Sequence, residues 1–167
     1  DRAPTSRYRV LIVDDEPAIR DSLEMLTAAE YQVPAACSVR GALDAMSDFM
    51  PDVILLDLCM LETNGIEGLR QIRQCDADVS VVIISGYGSD EMIQEAMRSG
   101  ATDYIGKPFD LAEFREKIEI NVEKTQRMRR RHSAGEPPAD RHVASRQVAG
   151  ADDVALLPEL GRELCHD

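Results

Sequence analysis

Three short runs of apolar, largely β-branched residues stand out along the chain: Tyr8 to Val13, Val53 to Leu56 and Val79 to Ile84. Continuous apolar runs of this length, without polar alternation, predict strands buried on both faces. A weaker run from Thr102 to Gly106 and another from Tyr31 to Ala36 complete a set of five. Pro34 places the last of these at a sheet edge, because proline has no N–H to give to a ladder. Between the runs, apolar residues recur every three or four positions, the spacing of a helix face. Ile19, Leu23, Leu26 and Ala29 follow Pro17, which suits a first helical turn. Ser38 caps a stretch carrying Ala42, Leu43, Ala45 and Met46, which ends near Met50-Pro51 because the residue before proline avoids helical geometry. Ile66, Leu69 and Ile72 follow Gly65. Met92, Ile93, Ala96 and Met97 follow a cap at Ser89 or Asp90 and stop at Gly100, and Leu111, Phe114, Ile118 and Val122 form the stripe after Pro108.

Strand and helix thus alternate five times over roughly the first 125 residues. That alternation predicts an α/β fold, a doubly wound parallel sheet with helices on both faces. Right-handed crossovers bring every strand's carboxyl end to one edge of the sheet. Ligands of open α/β sheets bind at that edge, where the strand order reverses. In the order 2-1-3-4-5 the first and third strands are neighbours at the reversal point.

Five polar residues stand where an apolar run stops: Asp14 and Asp15, Asp57, Ser85, and Lys107. Singly, each has a plain structural role, as turn, helix cap or solvated surface group. Together, in order and each at a strand end, they predict one assembled site. Three converging carboxylates repel one another by about 4 kcal/mol per pair at about 4 Å and an effective dielectric of about 20. Either a proton or a cation relieves this, and Lys107 offsets only part of it. Mg²⁺, which takes one or two carboxylates and keeps several waters, is the expected cofactor. Such a site suits phosphoryl transfer, with Asp57 as nucleophile and Asp14 and Asp15 holding the metal directly or through water. Ser85 would then donate to one phosphoryl oxygen and Lys107 pair with another.

The rest of the chain narrows the reading. It has 167 residues and a formal net charge of −12, which argues against broad nucleic-acid binding. Arg127, Arg129, Arg130 and Arg131 read as a solvated helix end favoured by its dipole. No stretch reaches the length of a membrane span and the amino end does not resemble a signal peptide, so a soluble, cytoplasmic protein is expected. A chain starting at Asp1 reads as a processed or excised fragment. Cys37, Cys59, Cys75 and Cys165 lack paired spacing and read as reduced thiols. Gly86-Tyr87-Gly88 is not a nucleotide loop, because no third glycine follows at the required spacing.

Leu11 to Glu16 (LIVDDE), Asp57 with Met60 and Gly65, Ser85 to Gly88 (SGYG) and Gly100 to Phe109 (GATDYIGKPF) carry a family likeness. Over about residues 7 to 125 the chain resembles the receiver domain of two-component response regulators, and SGYG resembles receivers of the nitrogen-regulator type. The resemblance implies a (βα)5, flavodoxin-like fold that accepts a phosphoryl group on Asp57 from the phosphohistidine of a sensor histidine kinase or phosphotransfer protein. It implies Mg²⁺ held by the Asp15 and Asp57 carboxylates and the Cys59 backbone carbonyl, with Asp14 acting largely through water. It further implies Ser85 and Tyr104 as a switch pair, in which the hydroxyl is drawn to the phosphoryl group and the ring turns inward. A cis peptide between Lys107 and Pro108 would aim the lysine into the site. Homodimerisation through the fourth helix, fifth strand and fifth helix, and a transcriptional output, follow from the same likeness. No enzymatic activity beyond self-phosphorylation and self-dephosphorylation is expected.

Two residues depart from the family pattern. Leu61 stands where proline is usual, and Cys59 replaces a frequently polar residue, so an altered lifetime of the phosphoryl-aspartate is expected. Residues 1–125 read as the receiver, 126–132 as an extension of its last helix and 133–167 as a largely flexible linker or tail. Gly135 and Pro137-Pro138 mark the linker; Val154, Leu156, Leu157, Leu160 and Leu164 outline a short amphipathic helix near 152–164, interrupted by Pro158. Two alternatives stand beside the switch: a receiver-like interaction module acting without phosphorylation, and an aspartate-nucleophile phosphatase. The phosphatase would usually carry a second Asp where this chain has Cys59.

Overall fold

The computed structural model describes residues 8–59, 64–86 and 90–135. In chain order the elements are β1 (Val10–Val13), α1 (Pro17–Thr27), β2 (Ala35–Ala36), α2 (Val39–Phe49), β3 (Val53–Asp57), α3 (Gly65–Cys75), β4 (Ser80–Ser85), α4 (Asp90–Arg98), β5 (Asp103–Gly106) and α5 (Leu111–Ser133). All strand pairs are parallel, in the order β2-β1-β3-β4-β5. The alternation and the order are those the sequence predicts.

The apolar runs are buried because they sit between two helical layers. Leu11, Val13, Ile54, Leu56, Val81 and Ile83 face one layer and pack with Val39, Ala42, Leu69, Ile72 and Ala96. Val10, Ile12, Val53, Leu55, Val82 and Ile84 face the other and pack with Leu23, Phe114, Ile118 and Val122. Successive strand residues therefore enter different cores, as the two-residue period of a strand requires.

The element ends have local causes. Ser38, Asn64 and Asp110 each accept a backbone N–H of the following first turn, capping α2, α3 and α5. Met50 ends α2 in the left-handed region (φ 43°) just before Pro51, and Gly100, at φ 111°, follows α4. Two boundaries are shorter than the apolar pattern suggests. Of the run Tyr31 to Ala36 only Ala35–Ala36 forms a strand, with a separate bridge from Gln32 to Arg9 on the other side of Pro34. Helix α1 stops at Thr27, short of Ala29, and the buried Thr27 hydroxyl donates to the Leu23 carbonyl at 2.7 Å.

Helix α5 runs for 23 residues, and its last turns are fastened to the amino edge of the sheet. Thr125 Oγ1 donates to the Asp52 carbonyl at 2.6 Å and accepts the Ser80 N–H at 2.9 Å. The Arg129 guanidinium spans Asp52 (2.8 Å), Asp76 (3.2 Å) and the Pro51 carbonyl (2.8 Å). His132 Nδ1 lies 2.6 Å from Asp78 Oδ2. These contacts hold the helix end against the loops that precede β3 and β4.

Gly65 opens α3 where the chain passes close to the residue after Asp57. A Cβ there would lie 2.6 Å from Leu58 Cα and 2.8 Å from its carbonyl oxygen. Since the obstacle is backbone, Gly65→Ala is expected to cost about 1–3 kcal/mol, measured as a lowered denaturant midpoint.

Cys59 and Cys75 are free thiols. Cys37 is disulfide-bonded, which corrects the expectation that all four cysteines are reduced. Among the described residues no helix is long and apolar enough to cross a membrane. The tail segment 152–164 lies outside the described residues.

Candidate functional site

The sheet register assembles the site. Val13 pairs with Leu56, so Asp14 and Asp15, just past the end of β1, come beside Asp57 at the end of β3. Asp57 pairs with Ile84, and Ser85 with Gly106, which brings Ser85 and Lys107 to the same edge. The carboxylate oxygens of Asp14, Asp15 and Asp57 lie within 4.8 Å of one another. Lys107 Nζ stands 3.8 Å from Asp14 Oδ2. Its backbone N–H donates to the Ser85 carbonyl at 3.1 Å, and the Lys107-Pro108 peptide is cis. Asp15, Asp57, Cys59, Gly86 and Lys107 line an open cleft of about 790 Å³, closed on one side by Pro17 and Ile19 of α1.

Asp14 is the most enclosed of the three carboxylates, 2 % exposed. Burial foremost pushes its carboxyl up from 3.8 to about 6; the charges of Asp57 and Asp15 add to this, while the Glu16 N–H and Lys107 oppose it. Glu16 N donates to Asp14 Oδ1 at 2.9 Å, turning the chain into α1. Cys59 N donates to Asp57 Oδ1 at 2.9 Å and holds the carboxylate at the strand end. Three carboxylates against one ammonium leave an excess of negative charge among oxygen donors, the donor set that suits a hard divalent cation such as Mg²⁺.

Ser85 is buried, with its hydroxyl 3.4 Å from the Cys59 sulfur. Tyr104, on β5, donates from its hydroxyl to the Ser85 carbonyl at 3.2 Å. All the residues singled out in the sequence for this site thus meet at the carboxyl edge, and Tyr104 reaches it from behind Ser85. Met60, Leu61, Tyr87, Gly88 and Ser89 lie outside the described residues.

Two contacts were not read from the sequence. Arg20, one turn into α1, donates to the Asp14 carbonyl at 2.8 Å. Its signal was available: a cation three residues after Pro17 lies on the same side of the first turn. The contact of Cys59 with Ser85 carried no signal, since it joins positions 26 residues apart across two strands.

The model of the response regulator receiver domain matches residues 10–119. The chain is 39% identical over 111 residues to the regulatory protein AtoC of Escherichia coli, covering 66% of this chain and 24% of that protein. It is 37% identical over 111 residues to the sporulation initiation phosphotransferase F of Bacillus subtilis, covering 66% of this chain and 90% of that one. The crystal structure of the receiver domain of NtrX from Brucella abortus superposes with a TM-score of 0.65 at 32% identity, covering 68% of this chain and 98% of that one. The chain thus spans about a quarter of AtoC but 90% of the sporulation phosphotransferase. It belongs to the response regulator receiver family, whose members act as phosphoacceptor switches, and the NtrX likeness fits the nitrogen-regulator resemblance.

Proposed function

We propose that Asp57 is the phosphoacceptor of this switch and that the surrounding residues divide the work of the transfer. The observation that carries this reading is the convergence of Asp14, Asp15 and Asp57 with Lys107 at one sheet edge. The donor is the phosphohistidine of a sensor histidine kinase or phosphotransfer protein. A carboxylate oxygen of Asp57 attacks phosphorus, the P–N bond breaks, and the imidazole leaves with the electron pair. Reversal of the switch is attack of water on the same phosphorus, returning Asp57 and releasing phosphate.

Mg²⁺, when bound, would neutralise charge on the phosphoryl oxygens. Asp15 and Asp57 would hold it through carboxylates, with the Cys59 carbonyl as a further ligand and Asp14 acting largely through water. Lys107 pairs with one phosphoryl oxygen and Ser85 donates its hydroxyl to another. As that hydroxyl is drawn to the phosphoryl group, the ring of Tyr104, whose own hydroxyl lies 3.2 Å from the Ser85 carbonyl, turns inward to fill the vacated space. The altered face then reaches a downstream partner, a second copy or an output module, in the cytoplasm.

Incubation with Mg²⁺ and acetyl phosphate, followed by peptide mapping, tests the assignment. A single adduct on Asp57 is expected. An adduct confined to another residue would overturn it, and sustained hydrolysis of phosphate esters would point to a phosphatase instead.

A further inference from the structure

We propose that the side chain of Cys59 is a positioning residue for the switch, a role that rests on the reading of Asp57 as phosphoacceptor and of Ser85 as donor to its phosphoryl group. The sulfur holds the Ser85 hydroxyl in the resting protein and gives it up when a phosphoryl group stands on Asp57.

Cys59 follows the end of β3 by two positions and touches both partners of the transfer. Its backbone N–H donates to Asp57 Oδ1 at 2.9 Å. Its Sγ lies 3.4 Å from Ser85 Oγ, a contact in which either atom can donate. The sheet register makes this possible: Asp57 pairs with Ile84, so Ser85 lies one step further along β4, beside the chain that leaves β3. The thiol is free and Cys59 lines the cleft together with Asp57.

Ser85 has few other choices. It is 1 % exposed, and among the described residues the Cys59 sulfur is the group within hydrogen-bond reach of its hydroxyl. Its backbone is fixed from the side of β5, where the Ser85 carbonyl accepts the Lys107 N–H at 3.1 Å and the Tyr104 hydroxyl at 3.2 Å. The freedom that remains is rotation about the Cα–Cβ bond, which carries the hydroxyl between staggered positions. Sulfur is a weak hydrogen-bonding partner. A phosphoryl oxygen on Asp57 is charged, and hydrogen bonds to ionised acceptors are about twice as strong as neutral ones. The sulfur thus keeps a buried hydroxyl satisfied at rest without holding it against the phosphoryl group.

Cys59→Ala removes the sulfur and keeps both the N–H at Asp57 and the backbone carbonyl. The resting hydroxyl loses its partner, whereas the phosphoryl-bound state loses nothing. Binding of beryllofluoride, a stand-in for the phosphoryl group, is therefore expected to tighten by about two- to fivefold in excess Mg²⁺, measured by calorimetric titration. In a Ser85→Ala background the same substitution is expected to change nothing, since the hydroxyl through which it acts is gone. Equal or weaker binding by Cys59→Ala than by a parent that binds would overturn this role alone. So would equal tightening in both backgrounds, which would assign Cys59 to access into the cleft. A parent that does not bind, or an Asp57→Asn variant that binds as well as the parent, would overturn the phosphoacceptor reading and this role with it.

Discussion

Asp57→Asn is expected to acquire no phosphoryl adduct from acetyl phosphate in the presence of Mg²⁺, measured by intact mass, while the unsubstituted chain is modified. A carboxylate attacks phosphorus through a lone pair on a charged oxygen. A carboxamide is uncharged, its nitrogen lone pair is delocalised, and its oxygen is a far poorer nucleophile. The substitution keeps the shape of the side chain and an oxygen that can accept the Cys59 N–H, now 2.9 Å from Asp57 Oδ1. Folding should therefore persist, with metal-free stability equal to or above that of the parent, because one of three mutually repelling charges is gone. Normal modification of the Asp57→Asn variant would show that the nucleophile lies elsewhere.

The second large effect concerns Asp14 and the pH dependence of the metal-free protein. Burial raises the native carboxyl from 3.8 to about 6. Between those two values the native state holds a proton that the unfolded chain has released. Stability therefore falls as pH rises through that window and stays low above it. A displacement of about two pH units corresponds to about 3 kcal/mol at full ionisation. Asp14→Asn cannot ionise and lacks this slope. In chelator at pH 7.5 it is expected to be more stable than the parent by about 2–3 kcal/mol, with the difference shrinking towards zero below about pH 4. Urea denaturation at both pH values measures it; a difference that does not change with pH would refute the mechanism. Mg²⁺ should recover part of the parent's lost stability at pH 7.5, since binding to the native state favours folding.

Much of this was legible because the same physics writes both pattern and structure. A strand covered on both faces must be apolar throughout, so the runs Tyr8 to Val13, Val53 to Leu56 and Val79 to Ile84 stood out in the letters. The functional side chains follow directly because they occupy the first polar positions after those strands. The weaker elements were harder to read. β2 is an edge strand with one partner and Pro34 beside it, so two residues suffice where the letters suggested six. The end of α5 offered little apolar pattern beyond Val122 and yet remains fastened to the domain. Its attachment is polar, through Thr125, Arg129 and His132 to Asp52 and Asp78, and helical periodicity does not register such contacts.

The sequence by itself determined the class of fold, the edge of the sheet that carries the chemistry, and the residue types that meet there, since each depends on local order along the chain. Tertiary contacts alone set how close the carboxylates come, that Asp14 is buried and its carboxyl pushed up by that burial, and that Cys59 touches Ser85. Those depend on strand register and helix packing, which place residues from distant parts of the chain within a few ångströms and set how much water each retains.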